Sequence, residues 1–260
     1  MGIPIDGATV VVTGASSGIG AALAPMLAAK GARVAVVARR EDRLREVLSR
    51  CEGDGHVAYS CDLGDLDAAE ATIAKAWDEL GGVDAVVHNA AIPKRRAVPQ
   101  LTMDEVEHVM AVNYLAPVRM TLAILPRMLE RDRGSNVYVS SLGGRLGIVH
   151  EAAYCASKFA LCGWAESMTM DLIDTGVDVR LVIPGPIDTE IWDLPDNDAP
   201  FYDGELLPPE TVAADIVAAI EGDGFETYSP DMVDIVEFKT KEIDVFLEGA
   251  AAMARPKDQA

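Results

Sequence analysis

Positive charge is what this chain has least of. Its 260 residues carry 22 Lys and Arg against 42 Asp and Glu, a formal net charge of −20. Such a balance repels phosphate backbones and anionic headgroups over most of the exterior, so no nucleic-acid partner is expected. Cysteine is scarce too. Cys51, Cys61, Cys155 and Cys162 form no C-x-x-C and no zinc-type spacing, so they read as small buried side chains in a reducing cytoplasm, with no metal site. The start, M-G-I-P-I-D-G, has no basic residue and no apolar run, which argues against a signal peptide. Asp6 stands where myristoylation needs Ser or Thr. No apolar stretch approaches the roughly 20 residues of a membrane span, so none is expected. Internal repeats and low-complexity segments are missing as well.

Half of the residues are hydrophobic and a quarter charged, enough for one large α/β domain with a continuous core. Short β-rich runs alternate with helical patterns from end to end. Strands are expected over 9–12, 33–37, 56–60, 84–88, 136–140 and 178–183, with a seventh near 225–229. Helices are expected over 19–30, 42–51, 66–80, 103–131, 151–175 and 209–221. The strands are nearly unbroken apolar runs such as A-T-V-V-V and D-A-V-V-H, which suits strands covered on both faces. The fold class is therefore α/β, a doubly wound parallel sheet of about seven strands with helices on both faces. Thr102 and Glu105 form a capping box opening the fourth helix, and Pro117 and Pro126 should bend it. Residues 187–207, rich in Asp, Pro and aromatics, read as a mobile flap. Its Trp192, Leu194, Phe201 and Tyr202 favour an apolar ligand.

Two motifs carry chemistry. T-G-A-S-S-G-I-G (Thr13 to Gly20) follows the first strand and opens the first helix. Its glycines permit a tight turn and close backbone approach, while the helix N-terminus offers free N–H groups to a pyrophosphate. That makes the sheet Rossmann-like. Tyr154 and Lys158, in Y-C-A-S-K, are four residues apart and share one helix face, placing a proton donor beside a fixed cation. Either motif alone is a weak signal; an exposed Tyr/Lys pair is usually a solvated surface. In this order they reinforce each other.

On these motifs the chain resembles the short-chain dehydrogenase/reductase family, in its shorter single-domain branch, over residues 5 to about 224. The resemblance implies an NADP-dependent oxidoreductase that interconverts an alcohol and a ketone or aldehyde. It assigns cofactor contacts to Gly14, Ser16, Ser17, Gly18, Ile19 and Gly20 in the loop, and to Asp62 and Leu63 after the third strand. Asn89 and Ala90 follow, in N-A-A where the family has N-A-G. Pro184, Ile187 and Thr189 belong to P-G-P-I-D-T, which closes over the nicotinamide. Asn113, Ser141, Tyr154 and Lys158 are the implied catalytic set. Tyr154 is the acid/base and Ser141 stabilises the substrate oxygen. Lys158 also binds the ribose, and the Asn113 backbone anchors a proton-relaying water. An ammonium near Tyr154, with the positive ring of the oxidised cofactor, should pull the phenol from its usual pKa of ~10 toward working pH. At the end of the second strand, V-A-V-V-A-R-R-E-D, Ala38 stands where a carboxylate would grip an NAD ribose. Arg39 follows and pairs well with a 2′-phosphate, with Arg40 as a possible helper, so NADPH is preferred over NADH.

Residues 1–230 thus form the oxidoreductase domain. Residues 231–260 lack the D-G-G-like tail of many relatives. Val233, Val236, Ile243, Phe246, Leu247 and Ala250 recur at mostly helical spacing, which predicts an amphipathic helix docked on the domain or a dimer, followed by a short flexible tail. A homodimer or homotetramer is expected. Its dimer would use the fourth and fifth long helices, whose Leu115, Val118, Met120, Leu161 and Trp164 exceed what a core stripe needs. Two rival readings remain: a catalytically silent cofactor-binding regulator, and a nucleotide-sugar epimerase or dehydratase. The regulator loses force because all four catalytic positions are filled, the epimerase because no large C-terminal domain is present. The partner is a small apolar carbonyl or alcohol, of unspecified identity.

Overall fold

The computed structural model describes residues 2–253. Seven parallel strands make one sheet in the order β3-β2-β1-β4-β5-β6-β7. They are β1 (Thr9–Thr13), β2 (Arg33–Ala38), β3 (Val57–Ser60), β4 (Ala85–His88), β5 (Gly134–Val139), β6 (Val177–Pro184) and β7 (Glu226–Ser229). The β-branched runs explain the sheet: β1 reads T-V-V-V-T and every one of its residues is buried, so both faces are covered.

Nine helices are described: α1 (Gly18–Ala29), α2 (Glu41–Leu48), α3 (Leu66–Leu80), α4 (Met103–Met110), α5 (Ala116–Glu130), α6 (Ala152–Asp171), α7 (Pro209–Glu221), α8 (Val233–Lys241) and α9 (Ile243–Met253). Strand alternation divides the core in two. Val10 and Val12 face Leu23 and Leu27 of α1 and Ile216 and Ile220 of α7. Val11 faces the opposite layer, with Ile73 of α3, Met120 and Ile124 of α5 and Leu161 of α6. The strand order reverses between β1 and β4, opening a crevice at their carboxyl ends, where ligands bind in such sheets.

Three expectations change. The predicted helix over 103–131 is two helices joined by a π-turn at Ala111–Leu115, with Pro117 in the first turn of α5 and Pro126 inside it. The Thr102–Glu105 capping box is present in both directions. By length and composition the run Met103–Glu130 would be able to cross a bilayer, although no such segment is expected from the sequence; here α5 sends Met120, Ile124 and Met128 into the core. The predicted terminal helix is a hairpin, α8 and α9, broken at Glu242, and none of its residues is buried. The expected flexible tail, 254–260, lies outside the described residues.

Candidate active site

Three elements place the predicted catalytic set: α6 carries Tyr154 and Lys158, the turn after β5 carries Ser141, and the π-turn carries Asn113. Tyr154 and Lys158 lie one turn apart on α6, and the Lys158 Nζ sits 5.8 Å from the Tyr154 ring centroid. Lys158 is fully buried and donates to the Val139 carbonyl at 2.8 Å. Burial lowers its pKa to about 8, partly offset by the neighbouring Cys162. Ser141, just past β5, caps a short 3₁₀ turn by accepting from the Gly143 amide at 3.1 Å, and it also hydrogen-bonds Tyr154. Ser140 turns the other way, onto the Lys158 carbonyl and Cys162. The structure thus distinguishes the two serines by what they touch.

The tyrosine corrects one expectation. Its phenol is pushed well above the ordinary range, not below it: burial dominates, the Ser141 hydrogen bond opposes it, and the charge of Glu151 adds to it. In the protein chain alone, Lys158 does not bring the phenol to working pH. Asn113 is fully buried in the π-turn. Its Oδ1 accepts from the Ile92 amide at 2.8 Å, and its Nδ2 donates to the Ile92 carbonyl and to Ser157 Oγ. Ser157 in turn donates to the Tyr154 carbonyl. The side chain of Asn113 is therefore a brace between the β4 exit and α6, and it does not line the cleft.

The glycine loop meets its requirement for open space. Gly14 has φ +67°, and a Cβ there would come within 2.7 Å of the Ala90 Cα. Gly18 has φ +53°, and its Cβ would strike Thr189 at 2.8 Å. Ser17, the N-cap of α1, makes no side-chain bond to the first helical turn, so those amides stay open to the cleft. Asn89 holds the loop by donating to the Thr13 carbonyl at 3.0 Å. Ser16, Ile19, Asp62, Leu63, Ala90, Pro184 and Ile187 line the same cleft; Gly20 does not, being packed inside α1. At the end of β2, Arg40 bonds Ser16 and pairs with Glu190 at 2.7 Å. Arg39 also lines the cleft and has no ion-pair partner among the described residues.

Beyond Tyr154 the cleft opens into an apolar cavity, the whole being about 1160 Å³. Leu142, Leu146 and Ile148 form one wall, and Trp192, Leu194 and Phe201 of the flap another. Phe238, Val245, Phe246 and Ala250 of the α8–α9 hairpin form a roof. Two signals escaped the sequence reading. The flap is tied down, not loose: Arg95 donates to the carbonyls of Ile191, Trp192 and Asp198, and Lys94 and Arg96 pair with Asp196. The run K-R-R after N-A-A was the available clue. The roof residues Phe238 and Val245 were also missed. His150 Nδ1 lies 3.1 Å from a carboxylate oxygen of Asp198.

The family model described as short chain dehydrogenase matches residues 8–198. The ketoacyl reductase HetN of Nostoc sp. is 30% identical over 226 residues, covering 84% of this chain and 76% of that protein. The D-threitol dehydrogenase of Mycolicibacterium smegmatis is 31% identical over 219 residues, covering 81% and 84%. A metagenomic short-chain oxidoreductase solved in complex with NADP superposes with a TM-score of 0.73 at 31% identity, covering 87% of this chain and 98% of that one. The chain belongs to the short chain dehydrogenase family. It is an oxidoreductase of alcohols and carbonyls with a nicotinamide cofactor.

Proposed function

We propose that this enzyme interconverts an alcohol and a ketone or aldehyde on an apolar substrate, with NADPH preferred over NADH and Tyr154 as the acid/base. One observation carries the reading: Tyr154, bonded to Ser141 and standing over Lys158, sits where the glycine-loop cleft runs into an apolar cavity. The cofactor fits the residues present. The Gly14 and Gly18 positions leave backbone free for close approach, the α1 amides are open, and Arg39 is an uncommitted cation for a 2′-phosphate.

When bound, the nicotinamide supplies or accepts the hydride. The protein manages the proton. Because burial keeps the phenol neutral, Tyr154 holds a proton to give to the carbonyl oxygen as charge develops there. Ser141 donates to the same oxygen and so stabilises the growing negative charge. Lys158, anchored by the Val139 carbonyl, sets the local positive field and would hold the ribose hydroxyls of the cofactor. The Asn113 brace fixes α6 relative to the β4 exit, and its main chain in the π-turn is the place for a relay water. Four free thiols support a reducing compartment such as the cytoplasm.

Tyr154→Phe removes only the transferable proton. NADPH oxidation across a panel of apolar carbonyls should fall by about 10²–10⁴-fold, with NADPH affinity nearly intact by fluorescence titration. Activity within threefold of wild type sinks the assignment. A wild type inert toward every carbonyl revives the silent-regulator reading.

A further inference from the structure

The substrate cavity is mainly apolar, and outside the predicted catalytic set Glu151 and Arg95 are its only buried charged side chains among the described residues. Glu151 is the residue before α6, three positions ahead of Tyr154, and is 8% exposed. It lines the cavity, and among the described residues its carboxyl has no hydrogen-bond or ion-pair partner. Arg95 lines the same cavity and is 3% exposed. Its guanidinium has five N–H donors, and three go to the neutral carbonyls of Ile191, Trp192 and Asp198. No carboxylate pairs with it among the described residues. The Arg95 charge partly offsets the rise that burial gives the Glu151 pKa. Both line the same cavity without forming an ion pair, although Arg95 also lies over the Trp192 ring at 6.0 Å.

Buried polar groups without partners are costly, and those at a ligand cavity are satisfied by the ligand. Resting on the proposed activity for its setting, we infer that Glu151 and Arg95 form a subsite for a second hydroxyl on the substrate. A hydroxyl donates to the Glu151 carboxylate and accepts from a spare N–H of Arg95, so both are satisfied at once. An ammonium would meet the Arg95 charge and a carboxylate would meet Glu151, so neither suits the pair. Glu151 precedes Tyr154 by three positions and lines the same cavity, so the bound hydroxyl lies close along the chain to the carbon that reacts at Tyr154. The substrate class is a hydroxy-ketone, or the corresponding diol, on an apolar body. Glu151 is the residue that selects it.

The test is calorimetric and needs no turnover. The full-length enzyme, saturated with NADPH to form dead-end complexes, is titrated with 1-phenylpropan-1-ol and with 1-phenylpropane-1,3-diol. The amine and carboxylate counterparts, 3-amino-1-phenylpropan-1-ol and 3-hydroxy-3-phenylpropanoate, serve as controls. The diol should bind ten- to a hundredfold more tightly than the mono-alcohol, the range of a hydrogen bond to a charged group. The two controls should bind more weakly than the diol. In Glu151→Leu the diol advantage should vanish, while mono-alcohol and NADPH affinities and the melting temperature stay unchanged. Glu151→Ala carries the same comparison if the leucine variant does not fold. The subsite is overturned by equal binding of diol and mono-alcohol, by no binding of either, by a preferred amine or acid, or by a diol advantage that survives in both variants. Failure of the Tyr154 assignment would leave this binding ratio untouched, so the two ideas fall separately.

Discussion

Arg39 and Arg40 adjoin at the end of β2, yet only one is free to meet a ligand. Arg40 is held by Glu190 and Ser16, whereas Arg39 faces the cleft without an acidic neighbour in pairing range. Arg39→Ala should therefore weaken NADPH by about ten- to a hundredfold, the range of a charge-assisted contact, and leave NADH within a few-fold. Dissociation constants for both nucleotides decide this, and equal losses would reject Arg39 as the discriminator. His88, one residue before Asn89, makes a different prediction. It is buried against Tyr138, with ring centroids 4.9 Å apart, and burial lowers its pKa to about 4, with Asn136 opposing. The unfolded chain takes up that proton near pH 6.5. Between these values the unfolded state binds more protons, so His88 contributes stability above about pH 6.5 that is lost as pH falls toward 4. The loss is on the order of 3 kcal/mol. Urea titrations from pH 7 to 4 should show it, and His88→Gln should flatten that slope.

The α8–α9 hairpin supplies a cavity roof but no buried residue. Ending the chain after Pro230 should therefore lower the melting temperature by only a few degrees. The same truncation should raise KM for bulky apolar carbonyls at least tenfold, with NADPH affinity kept. A collapse in stability, or an unchanged KM, contradicts the roof. How much of this was visible beforehand depended on whether the cause was local. The valine runs of β1, β2 and β4 are covered on both faces, and their pattern alone defines them. The glycine loop and Y-C-A-S-K are likewise short and self-contained. The π-turn at Ala111–Leu115 was hidden, because no Gly or Pro marks A-V-N-Y-L; Asn113 reaches Ile92 and Ser157, 21 and 44 residues away. Arg95 reaches its flap carbonyls across 96 to 103 positions, which no local pattern contains. A helix apolar on most sides also conceals which side faces in. Met120 and Leu161, read as dimer contacts, are core residues of this chain.

The dimer proposal then rests on Leu115 and Val118 of that set, together with further leucines of α5. Leu115 at the end of the π-turn and Leu122 and Leu129 on α5 stand seven apart and are 39%, 55% and 37% exposed, with Val118 and Leu125 between them only partly covered. Such a seam on one helix suits self-association about a two-fold axis. We expect a homodimer by light scattering, and Leu122→Glu should yield a folded monomer. Two copies of net charge −20 repel, so added salt should tighten the dimer. A wild-type monomer at about 0.5 M salt, where screening confines charge repulsion to ~4–5 Å, ends the proposal. The roof hairpin has one more consequence. The residues that fold the sheet and move the proton come from the chain before the cis-linked Pro230, while much of what the far end of a ligand would touch comes after it. Mutations in that last stretch should alter which molecules enter without disturbing the core, since its residues line the cavity and none is buried. Chimaeras that exchange only residues after Pro230 are therefore expected to redirect the enzyme's substrate range at little risk to folding.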